Sequence, residues 1–352
     1  MSNIKGEMIL IGCGGGGVNI VGNLAGHLAN LGDGFADIST EYVDTSDANI
    51  KLVVKDLESN FYIIKSTNVG EDISGSGAIR AENAQHIFAG ANDFVNSREY
   101  NSKDLAKYYV LVASAAGGSG SLTLPAIANN MLEKDLNVIV ILVGDSNNKK
   151  SIENTLNTIA SLNGIATYHD KTLSTIYFDN TKANGSTHKE RLANVDKDIF
   201  KHLTLLSAFL SGDVSALDQK DMSVFFNINK LNDIPAGLYA LDYFKEHIKL
   251  APHHKLRVVR TIVTEDQSPD LNLPEGVIID HDKFGVTYNE NVIDKLKDYF
   301  PLHYCSYANK FTTIEMELRN LIEQSEKDTI NATVDKVTGT DKAKKMKNGI
   351  VI

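Results

Sequence analysis

The first half of the chain repeats one order, an apolar strand-type run, then a loop, then a helical run. "MILIG" leads to "VNIVGNLAGHLANLG", "STEYVDTS" to "ANIKLVVKDLE" and "FYIIK" to "AIRAENAQHIFAGANDFVNS". "YYVLVAS" leads in turn to "AIANNMLEK", "NVIVILVG" to "SIENTLNTIASLNGI", and "LSTIYFDN" closes the series. Strands joined through helices must run parallel, because a crossover returns the chain to the same end of the sheet, and the repeat predicts a doubly wound parallel α/β sheet. The unbroken apolar run of "NVIVILVG" suits a strand covered on both faces.

A polar loop, Thr181 to Thr187, is followed by the long helical segment "KERLANVDKDIFKHLTLLSAFLSG". Leu192, Val195, Ile199, Leu203, Leu206 and Leu210 recur at three and four residues and predict one buried stripe, with Gly212 as the helix stop. Beyond Asp221 the texture becomes strand-like in "SVFFNIN", "KLRVVRTIVTE", "GVIIDHD" and "FGVTY", with a helix near Thr313 to Glu326. At 352 residues the chain fits one large or two medium domains. The expected organisation is a nucleotide-type domain over 1–190, a central helix and loop over 191–221, a smaller mixed α/β domain over 222–328 and a basic tail over 329–352.

Loops at the carboxyl ends of parallel strands share one rim, where ligands bind. Three such loops are stripped to small residues: "GCGGGG" (Gly12 to Gly17), "SGSG" (Ser74 to Gly77) and "AGGSGS" (Ala116 to Ser121). Glycine lets backbone N–H groups approach an anion closely, and a helix N-terminus adds partial positive charge. The hydroxyls of Ser119 and Ser121 are further donors to phosphate or to a hydrated metal ion. A single glycine loop commonly only turns the chain; three on one rim suit a run of phosphates longer than a pyrophosphate. A P-loop is excluded because the chain has no Gly-Lys dipeptide.

"SALDQKD" follows the long helix and carries Asp218 and Asp221 three residues apart, on one face if helical. Two acids so placed can polarise water or hold a cation near it. A helix of about 20 residues spans about 30 Å, so this pair is far from a ligand on its own subunit's rim and within reach of one on a neighbour stacked head to tail.

Net charge is −10, which argues against broad nucleic-acid affinity. The far C-terminus differs, with Lys336, Lys342, Lys344, Lys345 and Lys347 against Asp341. Cys13 and Cys305 have no metal-ligand or disulfide spacing. No membrane span or leader is recognisable, so a cytoplasmic protein is expected.

These residues resemble the tubulin and FtsZ superfamily. "AGGSGS" is similar to the signature GGGTGSG, "GCGGGGVNIV" to the first phosphate loop, and "SGSGAIRAENAQ" to the third. "YFDNTK" resembles the purine-side loop, "ANVD" the start of the central helix, and "ALDQKD" the catalytic NxDxxD. The matches keep family order from residue 8 to 221, and the compact length is most like the phage and plasmid tubulins, the PhuZ and TubZ groups. The resemblance implies GTP and GDP binding with Mg2+, and polymerisation of the protein with itself. In that reading Gly14, Gly15, Gly16, Gly17 and Asn19 contact phosphates and base, and Thr45 the phosphate or metal region. Gly75, Ser76 and Gly77 sense the γ-phosphate; Gly117, Gly118, Ser119, Gly120 and Ser121 cradle the α- and β-phosphates. Asn180 and Asn194 read guanine, while Asp218 and Asp221 complete the neighbour's site and activate water. The basic tail is implied as a contact for an adaptor or cargo.

The signature departs at Ala116, Ser119 and Leu122, and Ala216 stands where the family has Asn. Glu153 is the candidate for a ribose-binding acid. The phage-tubulin role, positioning phage DNA or its replication compartment, has a plasmid-segregating filament as its alternative. From another class, a nicotinamide-dependent oxidoreductase would use only the first glycine loop, with Asp37 or Asp44 as its ribose acid. A nucleotide-binding polymer without useful hydrolysis is a third reading.

Overall fold

The computed structural model describes residues 5–49, 60–66, 83–214, 218–227, 234–244, 257–264, 278–279, 283–286, 288, 290–297, 303–307, 310–338, 346–347 and 350–351. The strands are β1 (Glu7–Cys13), β2 (Asp37–Asp44), β3 (Phe61–Ile63), β4 (Lys107–Ser114), β5 (Val138–Gly144), β6 (Thr172–Asp179) and β7 (Gly237–Phe244). They continue with β8 (Arg257–Thr264), β9 (Ile278–Ile279), β10 (Lys283–Val286), β11 (His303–Tyr307), β12 (Met346–Lys347) and β13 (Ile350–Val351). The helices are α1 (Gly14–Leu28), α2 (Ala84–Ser97), α3 (Ser119–Glu133), α4 (Lys149–Tyr168), α5 (His188–Leu210), α6 (Gln219–Phe226), α7 (Glu290–Leu296) and α8 (Lys310–Thr338).

Seven strands pair in parallel in the order β3-β2-β1-β4-β5-β6-β7, as the alternating sequence requires. β7 then continues the sheet: its first residues pair with β6 through Thr172↔Gly237 to Thr175↔Ala240, and its last with antiparallel β11 through Tyr307↔Ala240 to His303↔Phe244. β8, β9 and β10 complete the same sheet beyond β11.

Each central strand divides its apolar side chains by alternation. Ile9, Ile11, Tyr109, Leu111, Val140 and Leu142 face one core with α2, α3 and α4. Met8, Leu10, Tyr108, Val110, Ile139 and Ile141 face the other with α1, α5 and α6. All seven residues of β5 are buried, which accounts for its unbroken apolar run.

α5 opens on a capping box, Thr187 with Glu190, and ends two residues before Gly212, whose φ of +84° is the left-handed stop expected. Val195, Ile199, Leu203, Leu206 and Leu210 are buried, whereas Leu192 is 37% exposed because the first turn of α5 projects beyond the core.

Two expectations are corrected. "SVFF" in "SVFFNIN" is the end of a helix, not a strand: Asp218 caps α6, and Met222, Phe225 and Phe226 at helical spacing bury together. The helix expected near 313–326 runs over Lys310–Thr338, past the point where the basic tail was expected to begin. No helix among the described residues is long and apolar enough to cross a membrane.

Candidate functional site

The strand register brings the carboxyl ends of the parallel strands to one level. Cys13 pairs with both Val43 and Ala113, Ala113 with Leu142, and Gly144 with Asp179. The loops after β1, β2, β4, β5 and β6 therefore share one rim. Gly14 to Gly17, Thr45, Gly117 to Ser121 and Asn180 lie on it, while Gly75, Ser76 and Gly77 lie outside the described residues.

α1 follows β1 directly, and α3 starts at Ser119 after Gly118; neither helix has a side-chain cap on its first N–H groups. N–H groups at a helix N-terminus of this kind can donate to an anion. The two glycine loops touch backbone to backbone. Gly14 has a φ of +67°, and a Cβ on it would stand 2.4 Å from the Gly120 nitrogen; one on Gly120 would stand 2.8 Å from the Cys13 oxygen. A Cβ on Gly17 would meet the Val112 oxygen at 2.1 Å, so α1 sits against β4 at a distance only glycine permits. A Cβ on Gly117, by contrast, would meet nothing within 4 Å.

The turn after β2 ties these loops together. Thr45 Oγ1 and Ser119 Oγ are 3.0 Å apart. The buried Asp44 carboxylate accepts the Thr45 N–H at 2.7 Å and the Asn49 amide at 3.5 Å. Burial raises the Asp44 carboxyl above its ordinary range, against those hydrogen bonds. Burial, with Asp44 beside it, also pushes the Cys13 thiol up, which makes it an inert core group. Ser121 is fully buried and donates to the Gly118 oxygen at 2.8 Å, so its hydroxyl closes the turn. Asn154, passed over in the sequence, donates to the oxygens of Ala116 at 3.0 Å and Gly117 at 3.3 Å and holds the loop from α4. Its signal was a polar residue among the buried positions of an amphipathic helix.

The loops after β5 and β6 form one unit. Ser146 N–H donates to Thr181 Oγ1 at 3.1 Å, Thr181 Oγ1 to Asp145 at 3.2 Å, and Asn180 N–H to the Gly144 oxygen at 3.0 Å. The Asn180 Oδ1 is buried with no hydrogen-bond partner, an acceptor awaiting a donor. Asn194 is engaged, its amide donating to the Asn184 oxygen at 2.7 Å. Two residues on, burial raises the Asp196 carboxyl, against a hydrogen bond from Asn23 on α1. Asn23 lies one turn beyond Asn19, so α1 and α5 face each other across Asn19, Asn23 and Asp196, of which the sequence reading took only Asn19. Glu153 is exposed and 3.9 Å from Lys149.

Asp218 and Asp221 lie at the other rim. The end of α5 is held there, with Gly6 N–H donating to the Ser211 oxygen at 3.1 Å and Ala36 N–H to the Ser207 oxygen at 2.9 Å, both just before β1 and β2. α6 is held there too, through Thr172 Oγ1 to the Phe226 oxygen at 3.3 Å at the start of β6. Both acids are exposed. Asp37 belongs to that rim as well, paired with Lys5 at 2.5 Å.

Among the described residues no group of three His, Cys, Asp or Glu side chains could hold a metal ion by itself. The glycine rim offers backbone donors, two hydroxyls and an amide acceptor, a set that fits a phosphorylated ligand with a hydrogen-bonding base.

No protein-family model matches the chain, and no curated protein matches it. Solved structures do. A protofilament of TubZ from bacteriophage PhiKZ is 17% identical with a TM-score of 0.68, each chain covered over 92%. The phage tubulin PhuZ with GDP gives the same identity, TM-score and coverage. CetZ2 from Haloferax volcanii, a GTPγS-bound protofilament, is 15% identical at a TM-score of 0.59, over 91% of this chain and 99% of that one. These neighbours are tubulin/FtsZ-like proteins, and the α/β fold of this chain is theirs.

Proposed function

We propose that the protein is a guanine-nucleotide-binding, GTP-hydrolysing polymer subunit of the tubulin type. One observation carries this reading: the glycine loops after β1 and β4 lie on one rim of the sheet, and the Asp218 and Asp221 pair lies on the other. A single subunit cannot bring both to one phosphate, whereas a head-to-tail contact can. The solved neighbours include protofilaments and structures with GDP or GTPγS, which supports both self-association and a guanine nucleotide.

The N-termini of α1 and α3 donate backbone N–H groups to the phosphates, with Gly14 to Gly17 and Gly117 to Gly120 allowing close approach. Asn180, with Asn19 and Asp196, takes the guanine edge: its orphaned Oδ1 accepts from a base N–H. Thr45 and Ser119 offer hydroxyls beside the phosphates. Mg2+ held with the nucleotide beside Thr45 and Ser119 would supply charge neutralisation to the phosphates. Asp218 and Asp221 of the next subunit hold and polarise the attacking water.

The cellular role that best fits is a phage tubulin acting in bacterial cytoplasm, with plasmid segregation as the second reading; the basic tail is the proposed adaptor or cargo contact. The oxidoreductase reading leaves Asp44, its best-placed acid, turned onto Thr45 of its own loop. Phosphate release measured against protein concentration tests the proposal. Turnover per subunit should rise above a threshold concentration; a rate constant at all concentrations would refute catalysis between subunits.

A further inference from the structure

α8 grips the purine-side wall of the candidate site from outside. The loops after β5 and β6 are knitted into one unit by Ser146, Asn180 and Thr181, and each end of that unit carries a lysine paired to α8. Lys182, two residues past Asn180, pairs with Glu317. Lys149, the first residue of α4, pairs with Glu326 at 2.6 Å. The apolar stripe of α8 packs on the core below, Phe311 and Leu318 buried and Ile314 and Ile322 half-buried against it, with Phe311 edge-on to Tyr177 at 6.2 Å. Nine residues separate the two glutamates, about 13.5 Å along the helix and half a revolution around it, so they flank that stripe on opposite sides.

We propose that Glu317 and Glu326 are positioning residues, through which α8 sets the spacing of the wall that carries Asn180. This rests on the guanine-nucleotide reading above. Neither glutamate touches the nucleotide. Each acts through a lysine on the wall, so displacing the C-terminal helix alters nucleotide affinity without any change in the glycine loops.

Charge exchange tests the brace in the full-length protein. GDP binding is measured by calorimetry at low salt for the parent, Lys182→Glu, Glu317→Lys and the double exchange, with thermal unfolding in parallel. Each single variant is expected to bind GDP about three- to fivefold more weakly at an unchanged melting temperature, and the exchange to recover to within about twofold. Singles that bind like the parent, or an exchange as weak as the two singles combined, would overturn the brace alone. A parent that binds no GDP would overturn the nucleotide reading, and the brace with it.

Discussion

Asp218 and Asp221 cap one helix reciprocally: Asp218 Oδ1 accepts the Asp221 N–H at 2.8 Å, and Asp221 Oδ2 accepts the Asp218 N–H at 3.1 Å. Each carboxylate thus spends one oxygen on the N-terminus of α6, which fixes how the pair is presented at its rim. Structure and proposed chemistry can be separated, because asparagine caps a helix about as well as aspartate. Asp218→Asn should unfold in urea within about 0.5 kcal/mol of the parent, while Asp218→Ala loses about 1 kcal/mol. Both should lower GTP turnover at least about tenfold with GTP binding intact. Parental turnover in Asp218→Asn would remove Asp218 from the chemistry.

Gly14 and Gly117 should part company. Alanine at Gly14 meets the Gly120 backbone at 2.4 Å from a left-handed residue, and should cost about 2 kcal/mol or more together with nucleotide binding. Alanine at Gly117 meets open space. Its unfolding midpoint should stay where it is, so any loss of GTP affinity in Gly117→Ala would report a contact with the ligand itself.

Asn154 anchors two carbonyls of the signature loop from inside the core. Asn154→Leu leaves both oxygens without that donor and should destabilise by about 1–3 kcal/mol. Nucleotide affinity should fall further than in Glu153→Ala, whose parent side chain is exposed. Equal affinities in the two variants would show that the loop holds its shape without Asn154.

His202 gives the fold a pH dependence. Burial, chiefly, lowers its pKa from 6.5 to about 4, against the attraction of Asp242 3.8 Å away. The folded state binds its proton less readily than the unfolded chain, so this stability is complete above pH 6.5. It drains away as the pH falls and stops falling below about 4, a total of about 3 kcal/mol at most. Burial, the largest influence, pushes the Asp242 carboxyl up, but Lys310, His202 and the Tyr243 N–H together hold the group below its usual range, which adds loss of the same sign at still lower pH. Urea midpoints between pH 4 and 7 should show a shallower slope in His202→Leu; an unchanged slope would assign the acid sensitivity elsewhere.

Periodicity made much of this fold legible. The unbroken apolar run of β5 and the stripe from Val195 to Leu210 are both local patterns, which the sequence carries directly. "SVFF" misled because aromatic and β-branched residues favour strands, while the decisive cap, Asp218 with Asp221, stands upstream of the run. The rim position of the glycine loops after β1 and β4 was legible too. Which glycines lack room was not, because Gly14 meets Gly120 and Gly17 meets Val112 only after the sheet has formed. Asn194 was legible as a polar residue at the helix start, but its engagement by Asn184 follows from how the loop folds back.

β7 hydrogen-bonds to β6 with one half of its length and to β11 with the other. Severing the chain before it would strip β6 of its neighbour and bare a row of unpaired N–H and C=O groups along an apolar strand, a template for indiscriminate pairing with other chains. The chain before β7 on its own is therefore an aggregation hazard, and the carboxyl-terminal segment protects it, once made, by closing that seam.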